Sequence, residues 1–417
     1  MKKVFALLLT LCLLLSLAAC GGNNSSDSNA DSSDPAPTGS SDPAPADSGD
    51  PAPAASGDTI KIGLYATITG TNALAGEMAE KGARLALKEI NAAGGVNGQM
   101  LELVVYDDKS TPEGAVRAVT RMVDSDHVTA IVGSNSSPNI VAASQITEDA
   151  GVLQVGCGTS PSYTNAGYQY IFRGTANANL PNAAFVDAME KTGAQKVAIL
   201  SIASENGVSG VNSTKALLPA SMEVVCEEQY QPTDTDFTGQ IAKIIASGAD
   251  SVILYGTTSD SALAIKQLRS NGYNGFIYGP EALGVPDIIN VGGEAAENVI
   301  FGSGAIIPAT IDDAANEVEK AMLTAFVEEY GEMPVSDVVY RGYDSAKIIA
   351  IALQNASDIN DPDAIREAVL GITDFEGIAG TYNFSDGSGD GLSTARAYII
   401  SGGKNVLFSD WLASNPQ

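Results

Sequence analysis

Short apolar runs and longer amphipathic stretches alternate along most of the chain. Residues 60–67 are apolar and rich in β-branched side chains, and residues 76–92 place apolar positions near the helical period. The pattern predicts strands at 60–67, 101–106, 129–133, 152–155, 170–173, 196–202, 222–226, 250–255 and 276–278. It predicts helices at 76–92, 180–192, 237–247 and 261–270, with another opening at Thr111–Pro112. Strands that alternate with helices indicate βαβ units and parallel sheets.

Two such series of strands predict two sheets, and hence two lobes. The sequence changes after Ile306, where residues 310–329 and 338–355 are typical of long helices. A shorter helix at 363–370 and strands at 382–384 and 397–400 close the chain. We expect this last part to complete the two lobes and not to form a third domain. The predicted fold class is α/β, with two Rossmann-like lobes built on parallel sheets.

The N-terminus has the pattern of a secretory signal. Two lysines precede an apolar run at residues 4–17, which is too short to cross a bilayer as a stable helix. The run ends in LAAC at residues 17–20, which resembles the bacterial lipobox, whose cysteine is lipidated. We therefore predict a signal peptide at 1–19 and lipidation of Cys20. The alternative is an ordinary signal peptide that is cut near Ala19.

Residues 21–58 consist of Gly, Asn, Ser, Asp, Pro and Ala, with a single Thr38. The unit SDPAP begins at Ser33 and again at Ser41, and DPAP recurs at Asp50. Such a composition cannot bury a core, so we predict that residues 20–58 form a disordered tether beyond the lipid anchor.

The chain is strongly acidic, with a formal net charge of −28. Binding to nucleic-acid phosphates needs a basic face, so this balance argues against nucleic acid as a partner. It argues equally against direct adhesion to anionic lipid. An acidic surface keeps an exported protein soluble.

Two of the four cysteines, Cys157 and Cys226, lie beyond the signal and the anchor. An exported protein permits a disulfide between them. We favour two free thiols, because the predicted lobes place the two residues apart.

The residues needed for most enzymatic chemistry are missing. His127 is the one histidine, which argues against a Ser-His-Asp triad and a histidine-rich zinc site. The sequence contains no GxSxG elbow, no phosphate-binding GxxxxGK loop and no GxGxxG after the first strand. Asp107 and Asp108 could be a metal or acid/base pair, but the following KSTP fits a structural turn better. We predict no enzymatic activity, no cofactor and no metal site.

Five ordered blocks distinguish the chain from Thr59 onward. They are IKIGLYATITG from Ile60, GARLALKEINAAGGVNGQMLELVVYDDKSTPEGAV from Gly82, EDAGVLQVGCGTSP from Glu148, YGPEALG from Tyr278 and GTYNFSDGSGD from Gly380. In sequence and order they resemble the receptors for leucine, isoleucine, valine and related solutes, which have the type I periplasmic binding protein fold. The resemblance covers essentially all of residues 59–417. INAAGGVNG followed by a strand that ends in DD is the most specific stretch.

This resemblance implies two α/β lobes that are joined by three hinge strands and hold the ligand between them. The first lobe would be residues 59–177 plus 303–382, and the second 178–302 plus 383–417. The implied function is that of a solute receptor for an ABC importer, which delivers an amino acid or a similar solute to permease and ATPase subunits. The receptor would be a monomer at the outer face of the cell membrane. The alternative is a ligand-sensing module that acts with a receptor and not with a permease.

The resemblance also implies ligand-binding positions. Ser137 matches the serine that binds the ligand carboxylate, with Ser136 as its neighbour, although both are also good helix caps. Cys157 and Gly158 match positions of backbone contact, and Thr159 matches a hydroxyl contact. Glu281 matches the glutamate that binds the ligand ammonium, although a glutamate there also suits a helix dipole.

Three positions depart from the family pattern. Residues that are usually aromatic align with Ala75, Asn206 and Thr257, and the latter two remain candidate ligand contacts. Without these rings, a branched aliphatic ligand is in doubt, and a more polar or larger ligand is favoured. Tyr65 and Tyr163 are candidates for replacement rings.

Overall fold

The structure, a computed structural model, describes residues 59–415 apart from Thr71, with the backbone alone at positions 205 and 206. The predicted signal peptide at 1–19, Cys20 and the tether to residue 58 lie outside the described residues. Strands and helices alternate from residue 60 to residue 303, as the hydrophobic pattern predicts.

Five parallel strands form the first sheet. They are β1 (Ile60–Ala66), β2 (Leu101–Asp107), β3 (Ala130–Val132), β4 (Leu153–Gly156) and β5 (Ile171–Arg173). Their order across the sheet is β2–β1–β3–β4–β5. All five coincide with predicted strands to within a residue or two.

The second sheet has seven strands, and a short hairpin precedes its last two in the chain. The parallel strands are β6 (Lys196–Ile202), β7 (Glu223–Tyr230), β8 (Ser251–Tyr255), β9 (Phe276–Gly279) and β10 (Val299–Ser303). The separate hairpin is β11 (Phe375–Glu376) with β12 (Thr381–Tyr382), and the chain ends with β13 (Arg396–Ser401) and β14 (Lys404–Leu407). The order is β14–β13–β10–β9–β8–β6–β7. β13 and β14 are antiparallel, because Gly402 and Gly403, with φ of 61° and 73°, connect them in a tight turn.

Twelve α-helices are present among the described residues. They are α1 (Ala73–Ala92), α2 (Pro112–Arg121), α3 (Ser137–Ala150), α4 (Leu180–Lys191), α5 (Glu205–Leu217), α6 (Thr238–Ala246), α7 (Thr258–Ser270), α8 (Pro286–Gly292), α9 (Glu317–Tyr330), α10 (Val338–Asn355), α11 (Pro362–Leu370) and α12 (Phe408–Ser414). Across residues 59–415, none of the described helices has both the length and the apolar character that crossing a membrane requires.

Helices cover both faces of each sheet. In the first lobe, α1, α9, α10 and α11 pack on one face, and α2 and α3 on the other. In the second lobe, α6, α7 and α8 cover one face, and α4, α5 and α12 the other. Parallel strands that are buried on both faces form near-continuous apolar runs, as at residues 197–200. The α/β fold with two lobes is confirmed.

The chain passes between the two sheets three times among the described residues: after β5, after β10 and before β13. We predicted the third crossover after residue 382. Phe384 and Leu392 are instead buried in the core of the first lobe, where Phe384 packs edge-on against Phe172 with 5.6 Å between ring centroids. The described core therefore extends the first lobe about ten residues beyond the predicted end.

The helix predicted at 310–329 begins later, at Glu317. The Asn316 side chain accepts a hydrogen bond of 2.7 Å from the Glu319 amide and thereby sets the start of α9. A short 3₁₀ turn, Ile311–Asp313, precedes it. The second crossover occupies the residues before this cap, so the prediction was wrong for its first seven residues.

Helices α1 and α10 cross unusually closely, and a glycine on each permits the contact. A Cβ atom at Gly82 would lie 2.0 Å from the Val339 carbonyl oxygen, and one at Gly342 would lie 2.1 Å from that of Ala79. Any side chain at either position would collide with backbone, which cannot give way as a flexible side chain can. This crossing fixes α10, and therefore its first turns, against the first lobe.

Candidate ligand-binding site

Loops at the carboxyl ends of the strands carry the predicted site residues. β3 leads through Ser136 into α3, and β4 leads into residues 157–160. In the second lobe, β9 ends two residues before Glu281, which opens a 3₁₀ turn, Glu281–Leu283. Open α/β sheets bind their ligands at this edge, because backbone donors and helix N-termini collect there.

The two loops of the first lobe pack directly against each other. Ser137 Oγ accepts a hydrogen bond of 3.1 Å from the Ser160 amide. A Cβ atom at Gly158 would lie only 2.6 Å from Ser137 Oγ, so this approach requires glycine. Ser136 precedes α3 and makes no side-chain cap. The structure thus brings Ser137, Gly158 and Ser160 into one cluster.

A fully buried arginine, Arg173, holds the 157–160 loop from below. Its guanidinium donates four hydrogen bonds, to Gly158 O (2.9 Å), Ser160 O (2.9 Å), Thr164 Oγ1 (2.8 Å) and Asp390 Oδ1 (2.7 Å). It also lies over the ring of Tyr163, 4.4 Å from the centroid. Because charge, hydrogen bonds and packing all act on one group, the loop is rigidly positioned.

The thiol of Cys157 is fully buried, and its Sγ lies 3.7 Å from Ser345 Oγ of α10. Burial raises the pKa of this thiol to about 11, so it stays protonated at neutral pH. A buried, neutral thiol acts as a small apolar side chain. Cys226 lies in β7 of the other sheet, and both cysteines are free.

Thr159 and Glu281 line the same cavity, which has a volume of about 140 Å³. The first lobe contributes Thr159 and the second lobe Glu281. The other polar residues of the lining are Thr175, Asn177, Asn182, Asp337 and Arg341. Its remaining residues are small or cyclic: Ala176, Ala178, Pro181, Pro280 and Gly304.

Three charged side chains meet at Glu281. Arg341 donates to Asp337 Oδ2 from Nε at 2.8 Å and also from Nη2, and its Nη2 lies 4.0 Å from Glu281 Oε1. Burial of the carboxyl group and repulsion from Asp337 raise the pKa of Glu281 to about 7, while Arg341 opposes the rise. Although the side chain keeps 41 % of its exposure, surrounding protein crowds the carboxyl group, and this partial loss of hydrating water is the main cause of the rise in its pKa. A cation that enters the cavity would favour the ionised form of this carboxyl group.

Of the other predicted contacts in the second lobe, Thr257 is not among the described residues that line this cavity. Thr257 precedes α7, and its hydroxyl donates to the Asp260 carboxylate. Position 206 lies in α5, with its side chain outside the described part. Both helices follow strands of the second sheet, so both positions lie at its carboxyl edge. Ala75 is half-buried in α1.

Tyr65 and Tyr163 do not replace the missing aromatic residues. Both are fully buried in the first lobe. The Tyr65 hydroxyl donates to Gln154 Oε1 at 2.9 Å, and that of Tyr163 donates to Gly158 O at 2.5 Å. The suggestion was wrong, because each ring packs beneath the binding edge and supports it from inside.

The Asp107–Asp108 pair forms a structural turn, as predicted. Asp107 Oδ1 accepts from the amides of Ile68, Thr69 and Lys109. Asp108 is buried and accepts from the hydroxyls of Thr67 and Ser134. Among the described residues, no group of three or more His, Cys, Asp or Glu side chains is placed to hold a metal ion.

A second, larger cavity of about 630 Å³ lies beyond Glu281 and Asp337, which line both cavities. Its apolar walls come from α8, the second crossover and the loop before α10. They include Val285, Ile289, Ile306, Ile307, Met333 and Val335.

The sequence-based prediction missed Asp337 and Arg341. Both lie at the start of α10, which the sequence suggested was a helix that merely completes a lobe. A possible signal was present: Asp337 and Arg341 are spaced i, i+4 beside the apolar residues 338–340. Arg173 was missed because its acceptor Asp390 lies 217 residues away in the chain.

Comparison with known proteins fits this architecture. The family model described as "Periplasmic binding protein" matches residues 59–404. The chain belongs to this family. Its members are substrate-binding components of transporters and not enzymes, and their type I fold agrees with the two sheets and three crossovers described above.

Among curated relatives, this periplasmic binding protein is similar to the leucine-, isoleucine-, valine-, threonine-, and alanine-binding protein of Pseudomonas aeruginosa. The two are 32% identical over 332 residues, which cover 79% of this chain and 86% of the relative. It is also 30% identical to the leucine-specific-binding protein of Salmonella typhimurium, over 74% of this chain and 82% of that protein.

Solved structures of transport proteins resemble the fold closely. The branched-chain amino acid transporter substrate binding protein LivJ from Streptococcus pneumoniae, in complex with isoleucine, superposes with a TM-score of 0.64 at 29% identity, covering 84% of this chain and 98% of that chain. A putative branched-chain amino acid ABC transporter protein from Rhodospirillum rubrum superposes with a TM-score of 0.75. Its 23% identity, over 84% of this chain and 99% of the other, shows the fold alone.

Proposed function

We propose that the protein is the solute-binding component of an ABC importer and that it binds an amino acid or an amino-acid-like solute between its lobes. One observation carries the proposal: Thr159 of the first lobe and Glu281 of the second line the same cavity. A hydroxyl and a carboxylate on opposite walls suit the two ends of a zwitterion. The names of the relatives, which bind leucine and other amino acids, support the same class of ligand.

The ligand carboxylate would bind at the first-lobe wall. Thr159 offers a hydroxyl donor, and the backbone amides at the start of α3 point toward the carboxyl edge of the sheet. Ser137 and Gly158 hold the two loops together, and Cys157 contributes backbone. The rigid loop reduces the entropy that is lost when the ligand binds.

The ligand ammonium would bind at Glu281. The pKa of Glu281 of about 7 leaves its carboxyl group partly protonated at neutral pH. An arriving cation favours the ionised form and thereby lowers this pKa. Since Glu281 belongs to the second lobe, the ion pair would draw that lobe toward the first by bending the three crossovers. Closure would form the surface that the permease recognises.

Export and anchoring complete the proposal. Cys20 would carry the lipid, and residues 20–58 would separate the folded lobes from the membrane surface. The acidic character of the chain, −28 over its full length, argues against adhesion of those lobes to anionic lipid. The protein would act as a monomer at the outer face of the membrane, where the permease and ATPase subunits accept its cargo.

A thermal-shift screen of the purified protein against the common amino acids tests the proposal. A ligand at about 100 times its dissociation constant stabilises the folded state by about 2.7 kcal/mol. We expect at least one amino acid to produce such a shift and Glu281→Gln to abolish it. Glu77→Gln removes a carboxylate that is 52% exposed on α1 and serves as the matched control.

Protein that is purified with its ligand already bound would mask the shift. The screen is therefore repeated after unfolding, dialysis and refolding. The proposal fails if no amino acid stabilises the refolded protein, and the role of Glu281 fails if the Gln variant binds as tightly as the parent.

A further inference from the structure

The small cavity beside Glu281 has a lining that does not suit an aliphatic side chain. Seven of its twelve residues are polar or charged. The other five are alanine, proline and glycine, so none of the described residues that line the cavity is aromatic or branched aliphatic. Apolar ligand groups are normally held by large apolar side chains, with few polar groups among them. In this cavity, polar and charged side chains outnumber the apolar ones.

Arg341 brings hydrogen-bond donors into this lining. Its side chain is only 15% exposed, and that of Asp337 is 21% exposed. The two hydrogen bonds that Arg341 makes to Asp337 converge on one oxygen, Oδ2, although a guanidinium carries five N–H donors in a planar fork. Three N–H groups of the Arg341 guanidinium therefore remain to donate to an acceptor that enters the cavity.

The larger, apolar cavity does not change this conclusion. It shares Glu281 and Asp337 with the small cavity, but neither the 157–160 loop nor the first crossover lines it. A ligand that contacts Thr159 must occupy at least part of the small cavity, because Thr159 does not line the larger one. The side chain of a compact amino acid would then face Arg341, Thr175 and Asn182, whereas only a longer side chain would reach past Glu281 to the apolar walls.

We propose that Asp337 and Arg341 are specificity-determining residues and that the ligand is an amino acid with a hydrogen-bonding side chain, not a branched aliphatic one. This inference rests on the proposed function. A branched aliphatic side chain would strip water from Arg341 and the neighbouring hydroxyl groups without replacing the lost hydrogen bonds. A side chain with a hydroxyl, amide or carboxylate group restores those bonds.

Pairs of amino acids with nearly the same shape separate polarity from size. Asparagine and leucine form one pair, and threonine and valine form the other. We expect calorimetry on the refolded protein to give at least about tenfold tighter binding for the polar member of each pair, since sites that hydrogen-bond their ligand reject analogues that lack the group. Leucine or valine binding as tightly as its polar partner overturns the inference and leaves the proposed function intact. Failure of every amino acid to bind overturns both.

Variants of the two residues test whether they cause the preference. Arg341→Met should reduce the asparagine-to-leucine affinity ratio at least about threefold, because it removes the donors and keeps an unbranched side chain of similar length. Asp337→Asn, which frees the guanidinium to turn, should change the same ratio and provides a second measurement if the Met variant folds poorly. Arg84→Met is the matched control, because Arg84 forms the same i, i+4 pair with Glu80 on α1, away from the cavity. Ratios that stay at the parent value in both Arg341→Met and Asp337→Asn would refute the assignment.

Discussion

The two walls of the cavity are built in different ways. On the first-lobe wall, Thr159 lies in a loop whose carbonyl groups at 158 and 160 are held by the fully buried Arg173. On the second-lobe wall, Glu281 lies in a single 3₁₀ turn, and the nearest nitrogen of its cationic neighbour Arg341 is 4.0 Å away. We call the first the fixed wall and the second the adjustable wall, because a buried cation donates hydrogen bonds to the first, whereas the Arg341 cation is beyond hydrogen-bond distance of Glu281 in the second.

This difference suggests separate roles for the two walls in the proposed binding of a ligand. A fixed wall loses little conformational entropy when it receives a ligand, and so it can act as the first docking surface. An adjustable carboxylate gains most of its interaction energy only when a cation is present, because burial and Asp337 otherwise raise its pKa. Under the proposed function, binding and closure would be coupled through the second-lobe wall.

The largest expected effect comes from breaking the fixed wall. Arg173→Met removes the hydrogen bonds that the guanidinium donates to the Asp390 carboxylate and to two carbonyl groups. Removal of one member of a buried ion pair typically costs about 3–5 kcal/mol of unfolding free energy. Urea denaturation measures this loss.

Arg84→Met breaks an exposed arginine–carboxylate pair and should change the unfolding free energy by no more than about 1 kcal/mol. Equal losses in the two variants would show that the buried network does not hold the loop.

A smaller effect should follow from displacing helix α10, which carries Arg341 next to Glu281 of the adjustable wall. Gly342→Ala places a Cβ atom 2.1 Å from the Ala79 carbonyl oxygen and so forces α10, which carries Arg341, away from α1. We expect a loss of about 1–3 kcal/mol in the free energy of unfolding, as for other overpacked contacts, again measured in urea.

Gly239 in α6 provides the matched control, because nothing lies within 4 Å of its Cβ position. Gly239→Ala should stabilise the protein by about 0.5–1 kcal/mol, since alanine favours a helix over glycine. A Gly342→Ala variant that is equally stabilised would mean that α1 and α10 can separate freely.

The smallest effect concerns pH and the adjustable wall. The pKa of Glu281 is raised from its ordinary value of 4.5 to about 7 in the folded protein. The folded state therefore keeps a proton that the unfolded state has already lost, and this group costs stability as the pH rises through that interval. Glu281→Gln should gain stability relative to the parent from about pH 4.5 to about pH 7 and hold that gain above it.

Urea denaturation of both proteins across this range measures the difference, with Glu77→Gln as the control for loss of an exposed carboxylate. If the stability gained by Glu281→Gln over the parent became smaller as the pH rises, the pKa of Glu281 would be lowered in the folded protein and not raised.

The sequence pattern predicted the sheets well, because strands buried on both faces are nearly continuous apolar runs. Lys196–Ile202 and Val338–Asn355 match their predicted bounds. The misses lie where local pattern does not decide. β10 ends in Gly302 and Ser303, and it was not predicted as a strand. The late start of α9 depends on one cap, and the extension of the first lobe depends on Phe384 packing against a residue more than 200 positions away.

The candidate site was only partly predictable for a similar reason. Thr159 and Glu281 were predicted from the family resemblance, and the structure places them in one cavity. Arg173 and Arg341 act through partners on other elements or the other lobe. The pairings of Arg173 with Asp390 and of Arg341 with Glu281 depend on how the sheets and crossovers bring distant segments together, whereas the Asp337–Arg341 pair is local, at i, i+4. Whether Asn206 and Thr257 contact a ligand stays a prediction.

The rates at which the two free thiols react can be used to follow opening of the structure around the binding loop. Cys226 is partly exposed at the surface of the second lobe, whereas Cys157 is sealed beneath the binding loop. Thiolate-directed reagents need both access and ionisation, and burial denies Cys157 both. Of these two residues, we expect Cys226 to be modified first. Modification of Cys157 then measures how often the 157–160 loop opens and exposes the thiol. A ligand that holds the lobes together would slow that second reaction and leave the first unchanged.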